Sequence, residues 1–309
     1  MKKQIIAAAV AASLSAVALA DVAITGSAKV NWTSTDDGGQ SGTAGATRVM
    51  THELDYNVVG KSGDTAFHAN IESTRTGGVQ KPASGTAEYG FHVKNQYMTT
   101  KVGNFDVKMG NWYNGDSNLN NGKAQDSQVQ IGTSMGPASV TLNHMPKSGS
   151  DHNEIHLKTE LAGIKVGIER ENTNDHMIYN LSGELGGVNF SFTDSDSNSA
   201  GDNEQNLTIK TELAGFGVEY HQMESENGTD SDGFFGTHSG ANDVQDAKGF
   251  GLTTSLAGNK VQLRNYEVDG TRDNKVIVTR TLASGATAEV TYVNGDSDTM
   301  LDVELLVKF

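Results

Sequence analysis

Chemistry needs side chains at workable spacings, and this chain offers few such sets. His152 and His156 stand four apart, a spacing that pairs zinc ligands on a helix. On a strand the same spacing separates them by about 13 Å, too far to share one ion. Asp194-x-Asp196-x-Asn198, followed by Asp202 and Glu204, opens like a calcium loop. It lacks the glycine expected at the sixth position and falls between extended segments. Asp230-x-Asp232 and Asp296-x-Asp298 are weaker versions of the same pattern. Serines and histidines are present, but no motif sets one beside the other for nucleophilic attack. With no cysteine there is no thiolate chemistry and no disulfide. No catalytic residue, metal or cofactor is expected, and the reading is not that of an enzyme.

The charged residues acquire meaning from the segments that carry them. In Met300–Phe309, Leu301, Val303, Leu305, Val307 and Phe309 fall on one side of an extended ribbon. Asp302, Glu304 and Lys308 fall on the other, with Leu306 as the apolar exception. The same alternation begins at Val22, Ile24, Ala28, Val30 and Trp32 and recurs to the end of the chain. In the second half, apolar runs close on Ala162-Gly163, Gly186-Gly187, Ala214-Gly215, Ala257-Gly258 and Ser284-Gly285, then resume. Each reads as a hairpin, because tight turns demand the positive φ that glycine accepts. Longer polar stretches, such as Ser34–Ala46, Tyr113–Asp126 and Glu224–Asp246, alternate with these turns.

Composition narrows what the ribbons enclose. The chain has 309 residues, 36 Gly and a formal charge of -15. Its longest apolar run, Ile5–Ala20, is shorter than the roughly 20 residues of a spanning helix. Behind Lys2 and Lys3, and ending in Ala18-Leu19-Ala20, that run has the layout of a secretory signal over residues 1–20. The mature chain, 21–309, then carries a charge of about -17, which argues against nucleic-acid binding. It shows no composition break and reads as one domain.

Eight hairpins and a lone strand at each end make about 18 strands. A soluble sandwich is the competing architecture. Export, amphipathic strands and the lack of helical periodicity favour lipid as the apolar phase, where strands must close into a barrel. The expectation is an all-β, transmembrane, antiparallel up-and-down barrel of 16–18 strands. Short turns would face the periplasm and longer loops the exterior. Trp32, Tyr56, Tyr89, Tyr97, Phe192, Tyr220, Tyr292 and Phe309 are placed in its aromatic girdles. A barrel this wide keeps a water channel, because its side chains cannot fill it.

Three stretches resemble general porins of the Gram-negative outer membrane. They are Asp21–Val30 at the mature start, Val102–Asn111 before a polar loop, and the terminal strand ending in Phe309. The resemblance implies a 16-stranded homotrimeric barrel embedded in outer-membrane lipid, with its third loop folded inward. It also makes Leu301, Val303, Leu305, Val307 and Phe309 an assembly signal, and Tyr113–Asp126 the constriction loop. Lys94 and Lys108 would then be eyelet bases and Asp116 and Asp126 the opposing acids. Parity adds Lys29, Glu72 and Arg264 to the lumen, where acids outnumber bases. The expected function is passive diffusion of small hydrophilic solutes and ions, favouring cations. The alternatives are a substrate-specific channel, disfavoured by few inward aromatics, and a structural or adhesin barrel with a plugged lumen.

Overall fold

The alternating segments become strands that pair in sequence order around a closed ring. The computed structural model describes residues 21–36, 47–78, 91–113, 125–146, 152–172, 176–196, 203–225, 234–235, 246–296 and 299–309. The first six strands are β1 (Asp21–Asp36), β2 (Thr47–Ser62), β3 (Thr65–Gly78), β4 (Phe91–Val102), β5 (Phe105–Tyr113) and β6 (Gln125–Met135). Next come β7 (Ala138–Met145), β8 (His152–Leu161), β9 (Ile164–Glu171), β10 (Met177–Leu185), β11 (Val188–Asp196) and β12 (Glu204–Leu213). The last six are β13 (Phe216–Ser225), β14 (Asp246–Leu256), β15 (Asn259–Val268), β16 (Thr271–Thr281), β17 (Thr287–Gly295) and β18 (Thr299–Lys308). All neighbours are antiparallel, and β1 pairs with both β2 and β18. The barrel therefore has 18 strands and no open edge. No helix occurs among the described residues. The hairpin count anticipated this number, whereas the 16 strands implied by the porin resemblance fall one hairpin short.

The two faces differ as lipid and water require. Leu161, Leu185, Leu213 and Leu256 stand on the outer face with two-thirds or more of their area exposed. Ile24, Phe91, Phe250 and Phe309 extend the same belt. A soluble monomer rarely exposes so much contiguous apolar surface, so this belt demands an apolar surrounding.

Tight turns gather at one end of the barrel. Ala162, Ala214 and Ala257 adopt φ 52, 52 and 51, followed by Gly163, Gly215 and Gly258 at φ 81, 80 and 78. Two successive positive φ angles make the hairpin turn whose twist matches its strands. Alanine in the first position is strained, by roughly 1–2 kcal/mol. The other end carries the longer connections, with two short exceptions: Asp269-Gly270 joins β15 to β16, and three residues, 296–298, join β17 to β18.

Closure sets the register of the opening strand. Ser27 opposes Lys308 and Asp36 opposes Thr299, so the seam occupies the later part of β1. Gly26 and Phe309 exchange backbone hydrogen bonds of 2.7 and 2.9 Å. A Cβ on Gly26 would lie 2.8 Å from the Phe309 ring, which packs edge-on against Tyr56. On the inner side, Asn31 and Thr33 donate to the Asp302 carboxylate. Leu306 opposes Lys29 and so faces inward.

One expectation fails because of a bulge. The β3–β4 register shifts between Asn70 and Ile71, which oppose Asn95 and Val93, so Lys94 is the extra residue of the bulge. A bulged residue flips every later side chain to the other face. Tyr97 therefore points into the lumen and stacks on His68, with ring centroids 4.7 Å apart, instead of joining a girdle. Tyr89 and residues 1–20 lie outside the described part.

Candidate permeation path

The inner wall carries charge in several sectors, each built on alternate positions of neighbouring strands. In the first, Lys29 on β1 meets Glu53 on β2 at 3.0 Å, and Lys94 on β4 pairs with Glu72 on β3. Glu53, Asp55 and Glu72 bring their carboxylates within 4.8 Å of one another. These groups are partly exposed, so each pair contributes at most about 1 kcal/mol to stability. Their consequence is electrostatic: they fix charge along the water-filled wall.

Lys108 on β5 has a different setting from the one expected. Its ammonium sits 4.4 Å from the Tyr97 ring centre and 4.1 Å from that of Trp112. The two rings meet edge to face at 5.9 Å. Aromatic faces attract a cation, so the two rings hold this ammonium in place. Asp116 lies outside the described residues, and for Asp126 only the backbone register, opposite Trp112, is described.

The second sector belongs to β13, β14 and β15. Arg264 Nε stands 3.4 Å from Glu219, and Nη1 donates to the Phe234 carbonyl at 3.0 Å. The guanidinium also covers the Phe234 ring at 4.6 Å. Glu219 lies 3.6 Å from both Lys210 and His221. His221 stacks on Phe234 at 4.0 Å, and Phe235 packs against Tyr266 at 5.9 Å. Phe234, Phe235, Met223, Ala247, Tyr266 and Val268 form a buried cluster on the inner face. Phe234 and Phe235, the two described residues between β13 and β14, thus lie against the inner wall.

The wall is cut to receive it. A Cβ on Gly249 would lie 2.7 Å from the Phe234 ring and 2.6 Å from the Tyr266 Cβ. A Cβ on Gly251 would overlap Glu219 at 2.5 Å. Glycine at these two inward positions makes room for the Phe234 ring and for the acid that holds Arg264. β14 stands nine strands from β5, half of the 18-strand ring. The Phe234–Arg264 sector and the Lys108–Trp112 sector therefore lie on opposite walls.

Sequence reasoning placed Lys29, Glu72, Lys94, Lys108 and Arg264 in the lumen; in the structure Lys29 meets Glu53, Lys94 meets Glu72, Lys108 lies over Tyr97 and Trp112, and Arg264 stands beside Glu219. It missed the inward aromatics Tyr97, Trp112, Phe234, Phe235 and Tyr266. Two adjacent phenylalanines within a polar loop, facing glycines two apart on the next strand, were the available signal.

A third group lies on β8–β10, on the same inner face. His152 and His156, too far apart to share an ion, are linked by Glu154 between them, at 2.9 and 3.2 Å. Asp194 and Asp196 end strand β11, while Asn198 and Asp202 lie outside the described residues.

No protein-family model matches the chain, and no curated protein matches it. Solved structures do. Pseudomonas aeruginosa OccK2 (OpdF), solved with glucuronate, superposes with a TM-score of 0.67 at 9% identity, covering 94% of this chain and 97% of that one. Pseudomonas aeruginosa OpdK with vanillate gives 0.61 at 9% identity, over 94% of this chain and 100% of that one. A mutant of the Rh. blastica porin gives 0.58 at 10% identity, over 94% and 100%. At such identities the likeness is one of fold: this chain shares the closed barrel of these proteins along almost its whole length.

Proposed function

We propose that the chain is an outer-membrane porin, a water-filled channel for small hydrophilic solutes and ions. The observation that carries this reading is the closed ring of 18 strands with an apolar outer belt and a charged inner wall. A barrel of this size leaves an aqueous passage that loops narrow without sealing. Here the passage runs between Lys108 with its two rings and the Phe234–Arg264 sector. The acid excess of the inner wall gives it a preference for cations. Residues 1–20 direct export, the tight turns face the periplasm, and the barrels assemble as homotrimers in the outer-membrane lipid. No catalysis is assigned to it.

A second reading has its own support. The lumen holds aromatic rings beside Arg264 and Lys108, a combination suited to small aromatic or sugar carboxylates. Two of the barrels it superposes on were solved with the carboxylates glucuronate and vanillate. On this reading the channel selects such solutes. Swelling of liposomes containing the purified barrel separates the two. A general porin admits neutral sugars at rates set by size. A selective one admits small carboxylates far faster than neutral sugars of equal mass. Liposomes that swell with neither would sink both readings.

A further inference from the structure

The inner wall at the loop end of β8 and β9 packs titratable groups of a kind the permeation path does not need. Glu154 and Glu171 are 2% and 7% exposed, and His156 is 3% exposed. Three of the donor atoms converge. His152 Nε2 lies 2.9 Å from Glu154 Oε1 and 3.7 Å from Glu171 Oε2, and the three donors fall within 4.8 Å of one another. Ligands bound at about 2.0–2.1 Å in a tetrahedral zinc site stand roughly 3.3 Å apart, so shifts below about 1 Å would close the set on an ion. A fourth donor is near: His176 Nδ1 lies 3.5 Å from the same Glu171 oxygen.

The surroundings orient these donors as a metal site requires. The second oxygen of Glu154 accepts from Asn143 Nδ2 at 3.0 Å and stands 3.2 Å from His156 Nε2. The other nitrogen of His156 is 3.1 Å from Glu169. Asn143 is itself tied to Gln128, which donates to the Trp112 carbonyl. The far nitrogen of His176 meets the Ser195 hydroxyl. Such outer partners fix the ring and carboxylate orientations of ligating groups. The second oxygen of Glu171 has no hydrogen-bond partner among the described residues, although the side chain is almost wholly buried. A buried carboxylate in that state costs several kcal/mol unless a cation compensates it.

We propose that His152, Glu154 and Glu171 bind a divalent transition-metal ion of the zinc class, with His176 completing the site. Imidazole nitrogen among carboxylates favours zinc, nickel or copper over calcium and magnesium, which prefer all-oxygen sets. The ion would clasp β8 to β9 at the mouth of the barrel and neutralise part of its buried acid. The two histidines need not share it, since Glu154 reaches one with each oxygen and ligates only beside His152.

Titration calorimetry with zinc chloride, on refolded barrel stripped with chelator, tests this without measuring transport. One zinc per chain is expected, undiminished by excess calcium. Glu171→Gln and His152→Asn should each weaken it by about tenfold or more, the size of effect seen when metal-site groups are altered. His144→Asn, on an exposed histidine of β7, should leave it unchanged. X-ray absorption of the zinc-loaded unaltered chain does not depend on any variant folding. It should show one or two imidazoles among oxygen ligands near 2.0–2.1 Å. Absence of binding, zinc held by both variants as tightly as by the unaltered chain, or a shell of oxygens alone would overturn the proposal.

Discussion

At the residue scale, the inward aromatic cluster beside β14 and β15 rests on few side chains. Phe235 is 1% exposed and Phe234 2%, both held against Tyr266. Replacing a buried phenylalanine by alanine costs about 3–5 kcal/mol at sites of this kind, here set against the docking of one loop. Phe235→Ala should therefore free the loop and raise single-channel conductance, with the barrel still resistant to detergent unfolding. Gly249→Val should act likewise, because its side chain must occupy the space of the Phe234 ring. Unchanged conductance in both variants would show that the phenylalanines do not narrow the path. Alternation revealed which face each wall residue takes. It could not reveal this contact, because Phe234 and Phe235 sit in a stretch with no period, and the glycines receiving them carry no side chain to count.

At the element scale, hairpins were the most legible feature. Ala162-Gly163, Ala214-Gly215 and Ala257-Gly258 announce themselves by a small pair between apolar runs, and their chain order yields the strand number. The strain they carry makes a prediction. Ala214→Gly should stabilise the barrel by about 1 kcal/mol in urea unfolding from lipid, since glycine takes positive φ freely. Less visible was the β4 bulge, because one extra residue at Lys94 looks in sequence like uninterrupted alternation and yet reverses Tyr97. The closing strand was clear in its pattern but not in its register, which depends on where Phe309 finds room over Gly26. Leu305→Asp, or removal of Phe309, should impair assembly. Mutant barrels that reach the membrane at normal yield, with ordinary heat-modifiable mobility, would contradict that role.

At the scale of the whole molecule, the ring turns local alternation into a boundary between lipid and water. No single strand could bury its apolar face; closure of β1 on β18 gives all of them one outer surface and removes the last edge. The charges then share one aqueous interior whose potential follows their sum. A reversal potential measured across a salt gradient should lean towards cations, less so at high salt, where screening shortens the reach of the wall charges. An anion-leaning value would mean that Lys108 and Arg264, at the narrow part, outweigh the more numerous acids. The most direct measurement of the central claim is the current through purified barrel in a planar lipid bilayer. A water-filled 18-strand channel predicts discrete, steady and lasting conductance steps, and properly inserted barrel that carries no current would contradict it.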